Sequence, residues 1–362
     1  PSDIYFHHIQ NAFSPTFFIR MSQIRVLIAD DSPTAVDIIA TILETDDDIR
    51  IVGKAVNGRE AVAMAETLRP DVITVDIQMP IMNGLDAIKQ IMAHYPTPIL
   101  VITSSTDASI AFQALSFGAL EVVEKPSLEL DFHARKYEEF IRKVKLIARV
   151  KVITHISGKM VDVKTVSDTS DFLLVIGIVA STGGPRALAS ILGSLPKNLS
   201  APVLVVQHIA DGFTDGLIQW LADVSPLRVK SAEQGESLAR GTVYIAPNGK
   251  HLEIGAQNKI VLSEKEDVSG HKPSGSVLLR SLATHAKRHA VGVLLTGMGR
   301  DGADGMLAIK QNGGHTIVQD EATSLIFGMP KAAIDIGAAE IVLPAERIAE
   351  QITRWTGIKT DA

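Results

Sequence analysis

FLLVIGIVASTGGPRA, residues 172–187, contains almost nothing but apolar and β-branched side chains up to Ala180, then breaks abruptly into Ser181-Thr182-Gly183-Gly184-Pro185. A continuous apolar run of this length, bounded by turn residues, is a strand buried on both faces, as in a parallel sheet covered by helices. The sequence therefore predicts a strand over 172–180, a sharp turn at Ser181, and a helix from about Arg186. Two further stretches repeat the plan. Ala201–Val206 ends in Gln207-His208, and Ala290–Leu295 is followed by Thr296-Gly297-Met298-Gly299-Arg300-Asp301-Gly302 and another helix. His315–Gln319 is a later strand ending in Asp320. Polar residues thus cluster where strands stop, and in open parallel sheets that edge carries the ligand site.

The residue types there suit acyl transfer. A serine on a strand-to-helix turn is exposed beside free helix N–H groups that can hold an oxyanion. His208, at the end of a neighbouring strand, is placed to take its proton, and an acid from a third strand end would fix the imidazole. Asp301 is the candidate acid, with Asp304 and Asp320 as competitors. Gly297-x-Gly299-x-x-Gly302 also matches a dinucleotide-binding fingerprint, with Asp320 near the spacing of a ribose-binding acid. Against an NAD site, Asp301 would put a carboxylate where the pyrophosphate rests on a helix N-terminus.

Working outward, the first half follows the same logic with different side chains. Strands are expected at Arg25–Ala29, Asp71–Val75, Ile99–Ile102 and Glu121–Glu124. They end respectively in Asp30-Asp31, Asp76, Thr103 and Lys125-Pro126, which should converge on one crevice. Three crowded carboxylates call for a hard divalent cation such as Mg²⁺. Asp76, alone at the end of a central strand, is the candidate to accept a phosphoryl group, with Thr103 and Lys125 contacting its oxygens.

The bulk properties fit a soluble two-domain protein. The 362 residues are 46% hydrophobic and 21% charged, with a formal net charge of −6 and no basic block to attract nucleic acid. The absence of cysteine removes disulfides, thiolate metal sites and cysteine nucleophiles, and is compatible with a cytoplasmic location. No apolar run approaches the roughly 20 residues of a membrane span. Residues 1–20 are read as an upstream or appended segment, since Met21 opens the first strand. Residues 21–127 form the first domain, and 128–171 a linker that begins with its last helix (Tyr137–Val150). Residues 172–356 form the second domain.

From Ile24 to Ser127 the stretches ADDS, VDIQMPIMNGLDA, ITSS and GALEVVEKP resemble the response-regulator receiver family. The resemblance implies a flavodoxin-like doubly wound parallel sheet and phosphotransfer from a histidine kinase to Asp76. It also implies Mg²⁺ at Asp30, Asp31 and Asp76. From Leu173 to Ala349, ASTGGP, VVQHI…GFT, VYIAPNGKHL, KPS, LLTGMGRDGADG and QDEATSLIFGMPKAAIDIGA resemble the protein-glutamate methylesterases of bacterial chemotaxis. That resemblance implies a three-layer αβα doubly wound hydrolase domain that needs no cofactor. Its substrates would be glutamate methyl esters of chemoreceptors, with glutamine deamidation as a second reaction. It assigns Ser181 as nucleophile, His208 as base and Asp301 as supporting acid, with Thr182 and Met298 at the oxyanion. It also implies an unphosphorylated receiver lying over the active-site face. The opposing possibility is a catalytically degenerate regulator that binds a receptor or kinase without hydrolysis. Two departures stand out: Val179 where the family usually has glycine, and Ala210-Asp211-Gly212 in place of a proline-rich turn. Val179 lies in a β-favouring run, so it is expected to stay extended and to narrow the approach to the serine.

Overall fold

The computed structural model describes residues 23–104, 108–126, 134–150, 174–268 and 270–357. The expected N-terminal segment, most of the linker and the domain boundary near Asp171 lie outside the described residues. The first sheet contains β1 (Ile24–Ala29), β2 (Ile49–Ala55), β3 (Val72–Val75), β4 (Ile99–Thr103) and β5 (Glu121–Glu124). All pairs are parallel and the order is β2-β1-β3-β4-β5. The chain reverses direction across the sheet between β1 and β3, which opens the crevice at their carboxyl ends. Helices α1 (Pro33–Leu43), α2 (Gly58–Leu68), α3 (Gly84–His94), α4 (Ala108–Ser116) and α5 (Ala134–Ile147) cover its faces.

Local chemistry fixes where these helices begin. Ser32 caps α1 by accepting the N–H of Ala35 at 3.3 Å, with Pro33 just inside. Asn57 and Asn83 cap α2 and α3, accepting from the N–H groups of Glu60 and Asp86, each at 2.9 Å. The short caps keep Asp30, Asp31 and Asp76 in the loops and out of the helices.

The second sheet is seven-stranded, in the order β14-β13-β12-β6-β7-β9-β8. Its strands are β6 (Val175–Ala180), β7 (Val203–Gln207), β8 (Arg228–Ser231), β9 (Thr242–Ile245), β12 (Ala290–Leu294), β13 (His315–Gln319) and β14 (Ile341–Leu343). Every pairing in it is parallel. A separate antiparallel hairpin joins β10 (His251–Ile254) to β11 (Ile260–Ser263). One face packs on α6 (Gly184–Ser194), α7 (Thr214–Val224) and α11 (Ala345–Trp355) through Ile176, Ile178 and Ala180. The other packs on α8 (Gly275–His285), α9 (Ala303–Gln311) and α10 (Met329–Asp335) through Val175 and Val179. This is the expected three-layer αβα arrangement.

The two domains share a core. Phe112 of α4 stacks on Trp220 of α7 with ring centroids 5.9 Å apart and planes 20° from parallel. Gly216 lets the helices close up, because a Cβ there would lie 2.7 Å from the Ser109 nitrogen.

Val179 departs from expectation in one respect. It is extended within β6, but its side chain is fully buried in the α8 layer against Gly275 and Gly302. With its side chain closed in by Gly275 and Gly302, Val179 presents no surface to the approach to Ser181 and narrows none. Val179→Ala should therefore lower stability by about 2 kcal/mol and give no gain in turnover. The shift in the urea midpoint of the second domain checks the first part, and a rate increase in this variant would contradict the second.

Candidate functional site

At the first crevice, β1, β3, β4 and β5 deliver Asp30, Asp76, Thr103 and Lys125 as their ends require. Lys125 Nζ lies 2.7 Å from Asp30 Oδ2 and 3.1 Å from Asp76 Oδ2. Asp30 and Asp76 are buried, Asp31 is exposed, and the three offer carboxylate oxygens within 4.8 Å of one another. Burial pushes the Asp76 carboxyl above the ordinary carboxylate value, and Lys125 pulls against that while Asp30 adds to it. The Lys125 ammonium is pushed up by the two carboxylates despite its own desolvation. Thr103 Oγ1 is buried without a hydrogen-bond partner. Three hard oxygen donors suit Mg²⁺, and a buried, unpartnered hydroxyl on the strand beside Lys125 suits a phosphoryl group. All five predicted residues meet at one place.

In the second domain Ser181 follows β6, and its N–H donates to Thr296 O at 3.0 Å, continuing the β12 pairing for one residue. Gly183 then takes φ 77°, a conformation that turns the chain into α6 at little cost for glycine. Gly297 packs directly against the serine: a Cβ there would lie 2.6 Å from Ser181 Cβ and would also strike the Met329 sulfur. The Gly297-Met298 segment therefore runs alongside the nucleophile candidate. His208 is held by its N–H to Ala180 O, 3.0 Å, so Ser181 and His208 leave adjacent strand ends.

Asp301 is the acid that His208 meets. His208 Nε2 lies 2.9 Å from Asp301 Oδ2, and the carboxylate is almost wholly buried. It also accepts from Ser274 Oγ at 2.8 Å, Gly275 N–H at 2.6 Å and Ser276 N–H at 3.0 Å. Burial alone would raise its pKa. The His208 hydrogen bond and charge, with Ser276 and Ser274, overcome that and hold it well below the ordinary carboxylate value. An ionised acceptor requires Nε2 to carry the proton, which leaves Nδ1, buried and without a partner, as the basic nitrogen. The competitors have other work: Asp304 is exposed and pairs with Arg300 at 3.2 Å, while Asp320 accepts from Thr323 Oγ1 at 2.6 Å. With Asp301 seated on α8 and Asp320 closed on its own loop, neither acid of the dinucleotide fingerprint faces a ribose or pyrophosphate.

Several residues here do not stand at the carboxyl end of a strand, so the strand pattern does not mark them. Ser274 and Ser276 form the cradle of Asp301 from the start of α8. His271 stacks on His208 with centroids 3.8 Å apart and planes 4° from parallel. Glu121 of β5 reaches into the second domain and accepts the Gly183 N–H at 2.6 Å. Arg142 of α5 donates to the Met298 sulfur at 3.6 Å. A cavity of about 30 Å³ lies between these surfaces, lined by Glu121, Lys143, Thr182, Gln207, His208 and Phe213.

Comparison with known proteins decides the family. Residues 176–352 match the CheB methylesterase domain model and residues 26–135 the response regulator receiver domain model. A protein-glutamate methylesterase/protein-glutamine glutaminase of Anaeromyxobacter dehalogenans is 45% identical over 92% of this chain and 97% of its own. The chain belongs to this methylesterase family. A Pyrococcus abyssi member is 39% identical over 92% of this chain and 93% of its own. The crystal structure of the Thermotoga maritima CheB methylesterase catalytic domain, 41% identical, covers 51% of this chain and 99% of that one with a TM-score of 0.50.

Because Gly297 abuts Ser181, Gly297→Ala should displace the serine and lower turnover of a methyl-ester substrate by about 10²-fold. Circular dichroism should show unchanged secondary structure. Full activity in this variant would mean that Ser181 is not the reacting group.

Proposed function

We propose that this chain is a phosphorylation-regulated protein-glutamate methylesterase that also deamidates protein glutamine. Its substrates are methylated glutamates on the cytoplasmic helices of chemoreceptors, its phosphodonor is a histidine kinase, and it works in the cytoplasm. Among the described residues no helix is long and apolar enough to cross a membrane. The observation that carries the reading is the commitment of His208 Nε2 to a buried, ionised Asp301 while Nδ1 stays free at the strand end beside Ser181.

In the reaction, His208 Nδ1 takes the Ser181 hydroxyl proton and the oxygen attacks the ester carbonyl. Asp301 stabilises the imidazolium that forms. The backbone N–H groups of Thr182 and Met298 face the developing oxyanion. The proton returns from His208 to the departing methoxide, and methanol leaves. Water, deprotonated by the same nitrogen, then releases glutamate from the acyl-enzyme. With glutamine the tetrahedral intermediate carries an amino group in place of methoxy, His208 protonates it, ammonia leaves, and the acyl-enzyme is the same. An intact Ser181, His208 and Asp301 set favours this over a degenerate regulator.

In the receiver, Asp76 accepts the phosphoryl group, with Thr103 Oγ1 and Lys125 Nζ on its oxygens. Asp30, Asp31 and Asp76 would hold Mg²⁺, which supplies positive charge against the incoming phosphate. The receiver's β5 and α5 lie over the active-site edge through Glu121, Lys143 and Arg142, so the unphosphorylated enzyme is covered. Phosphorylation shifts the balance toward the uncovered form.

Ser181→Ala should fold normally and lose methanol release by about 10⁶-fold, with His208→Ala costing about as much alone. The double variant should lose little beyond either single one. Independent, multiplying losses would mean the two residues do not share one mechanism.

A further inference from the structure

Glu121 is the first residue of β5, 6% exposed, and sits in the interface with the second domain. Oε2 accepts the Gly183 N–H at 2.6 Å and Oε1 accepts the Val122 N–H at 3.0 Å. Burial pushes its pKa up, and Lys143 and the two N–H groups pull against it. Gly183 lies two residues past Ser181, and its N–H is one of the donors that the first turn of α6 leaves free. Two more polar atoms beside it are buried without a partner, Gln207 Oε1 and His208 Nδ1. Both residues line the same small cavity as Glu121 and Thr182. The site is therefore a polar pocket built around the nucleophile turn, with a carboxylate from the other domain seated in it.

The identity of that side chain matters. Hydrolysis of a glutamate methyl ester leaves a protein-bound glutamate γ-carboxylate, and Glu121 is a protein-bound glutamate γ-carboxylate. We propose that the turn Thr182–Gly183, with the Gly183 N–H as donor, is the subsite for the γ-carboxyl group of the substrate glutamate, and that Glu121 fills it as an internal product. The proposal rests on the methylesterase reading above. The receiver then excludes substrate by competition for one group's place as well as by bulk. A substrate ester must displace Glu121, and product glutamate binds where Glu121 was.

The test uses the full-length chain. Methanol release from methylated receptor membranes is measured with and without a small-molecule phosphodonor, for wild type, Glu121→Ala and Glu121→Gln, with Glu138→Ala as an exposed control on α5. Each assay is repeated with N-acetylglutamic acid α-amide as a soluble product mimic. Glu121→Ala should raise the unphosphorylated rate by about tenfold or more, the loss of one charge-assisted hydrogen bond, and Glu121→Gln should raise it less. The mimic should inhibit Glu121→Ala and phosphorylated wild type, and leave the small basal rate of unphosphorylated wild type unchanged. A raised basal rate with no inhibition of any form would overturn the subsite, since Glu121 would then be an ordinary interface contact. A basal rate unchanged in both variants, with normal stimulation by phosphodonor, would overturn the proposal and leave the methylesterase reading standing. No methanol from phosphorylated wild type would remove that reading itself. Melting temperatures of both variants show whether they fold, and the isosteric glutamine keeps the test valid if alanine does not.

Discussion

The buried carboxylate of Asp301 is the constraint around which the second domain is arranged. An ionised group this far from water survives only when its lone pairs are filled, and here four donors fill them. Three of those donors come from the start of α8 and one from His208. The carboxylate therefore ties the end of β7 to the first turn of α8 and fixes which imidazole nitrogen remains basic. Its folded-state pKa lies below that of the unfolded chain. The associated stability is complete above the unfolded value near pH 4 and is lost as the pH falls toward the folded one. The roles of the two ring nitrogens are reversed relative to the familiar serine proteases, where Nδ1 faces the acid. At this contact the imidazole is therefore turned over, with Nε2 and not Nδ1 on the acid.

The same economy joins the two domains. β5 is only four residues long, yet Glu121 at its start touches the turn that follows Ser181 and Lys125 just past its end touches Asp76 and Asp30. The Lys125 N–H also donates to Thr103 O at 2.8 Å, so β4 and β5 end together beside Asp76. A phosphoryl group on Asp76 would draw Lys125 and Thr103 toward new oxygens, at the far end of the strand whose first residue contacts Gly183. The Phe112–Trp220 stack and the close approach at Gly216 make one part of this interface apolar, and the Glu121–Gly183 and Arg142–Met298 contacts make another polar.

Much of this was legible in the sequence, because parallel strands read as apolar runs and their last residues stand out. Asp30, Asp76 and Lys125 meet at their strand ends with Asp31 and Thr103 beside them, His208 meets Asp301, and Ser181 follows the strand next to that of His208. What was not legible depends on contacts distant in the chain. β2 was missed because Ile49–Ala55 is an edge strand interrupted by Arg50, Gly53 and Lys54. Strand pattern favours Asp301 but leaves Asp304 and Asp320 as competitors, and the fold shows that Asp301 is the one that faces His208. Ser274 and Ser276 look like ordinary helix-start residues until Asp301 is seated on them. Val179 was placed in the right backbone region, but the face it points to follows from where β6 ends. Glu121 reads as the opening residue of a strand, and nothing local marks it as a contact with another domain.

The central claim is that one chain holds a serine hydrolase and the phosphorylatable cover that controls it. The most direct measurement is methanol release from methylated receptor membranes by the full-length protein, with and without a phosphodonor, beside Asp76→Asn. The account predicts a low basal rate that phosphodonor and Mg²⁺ raise severalfold in wild type and leave unchanged in Asp76→Asn. A wild-type rate that ignores the phosphodonor, or an Asp76→Asn rate that follows it, would contradict the account.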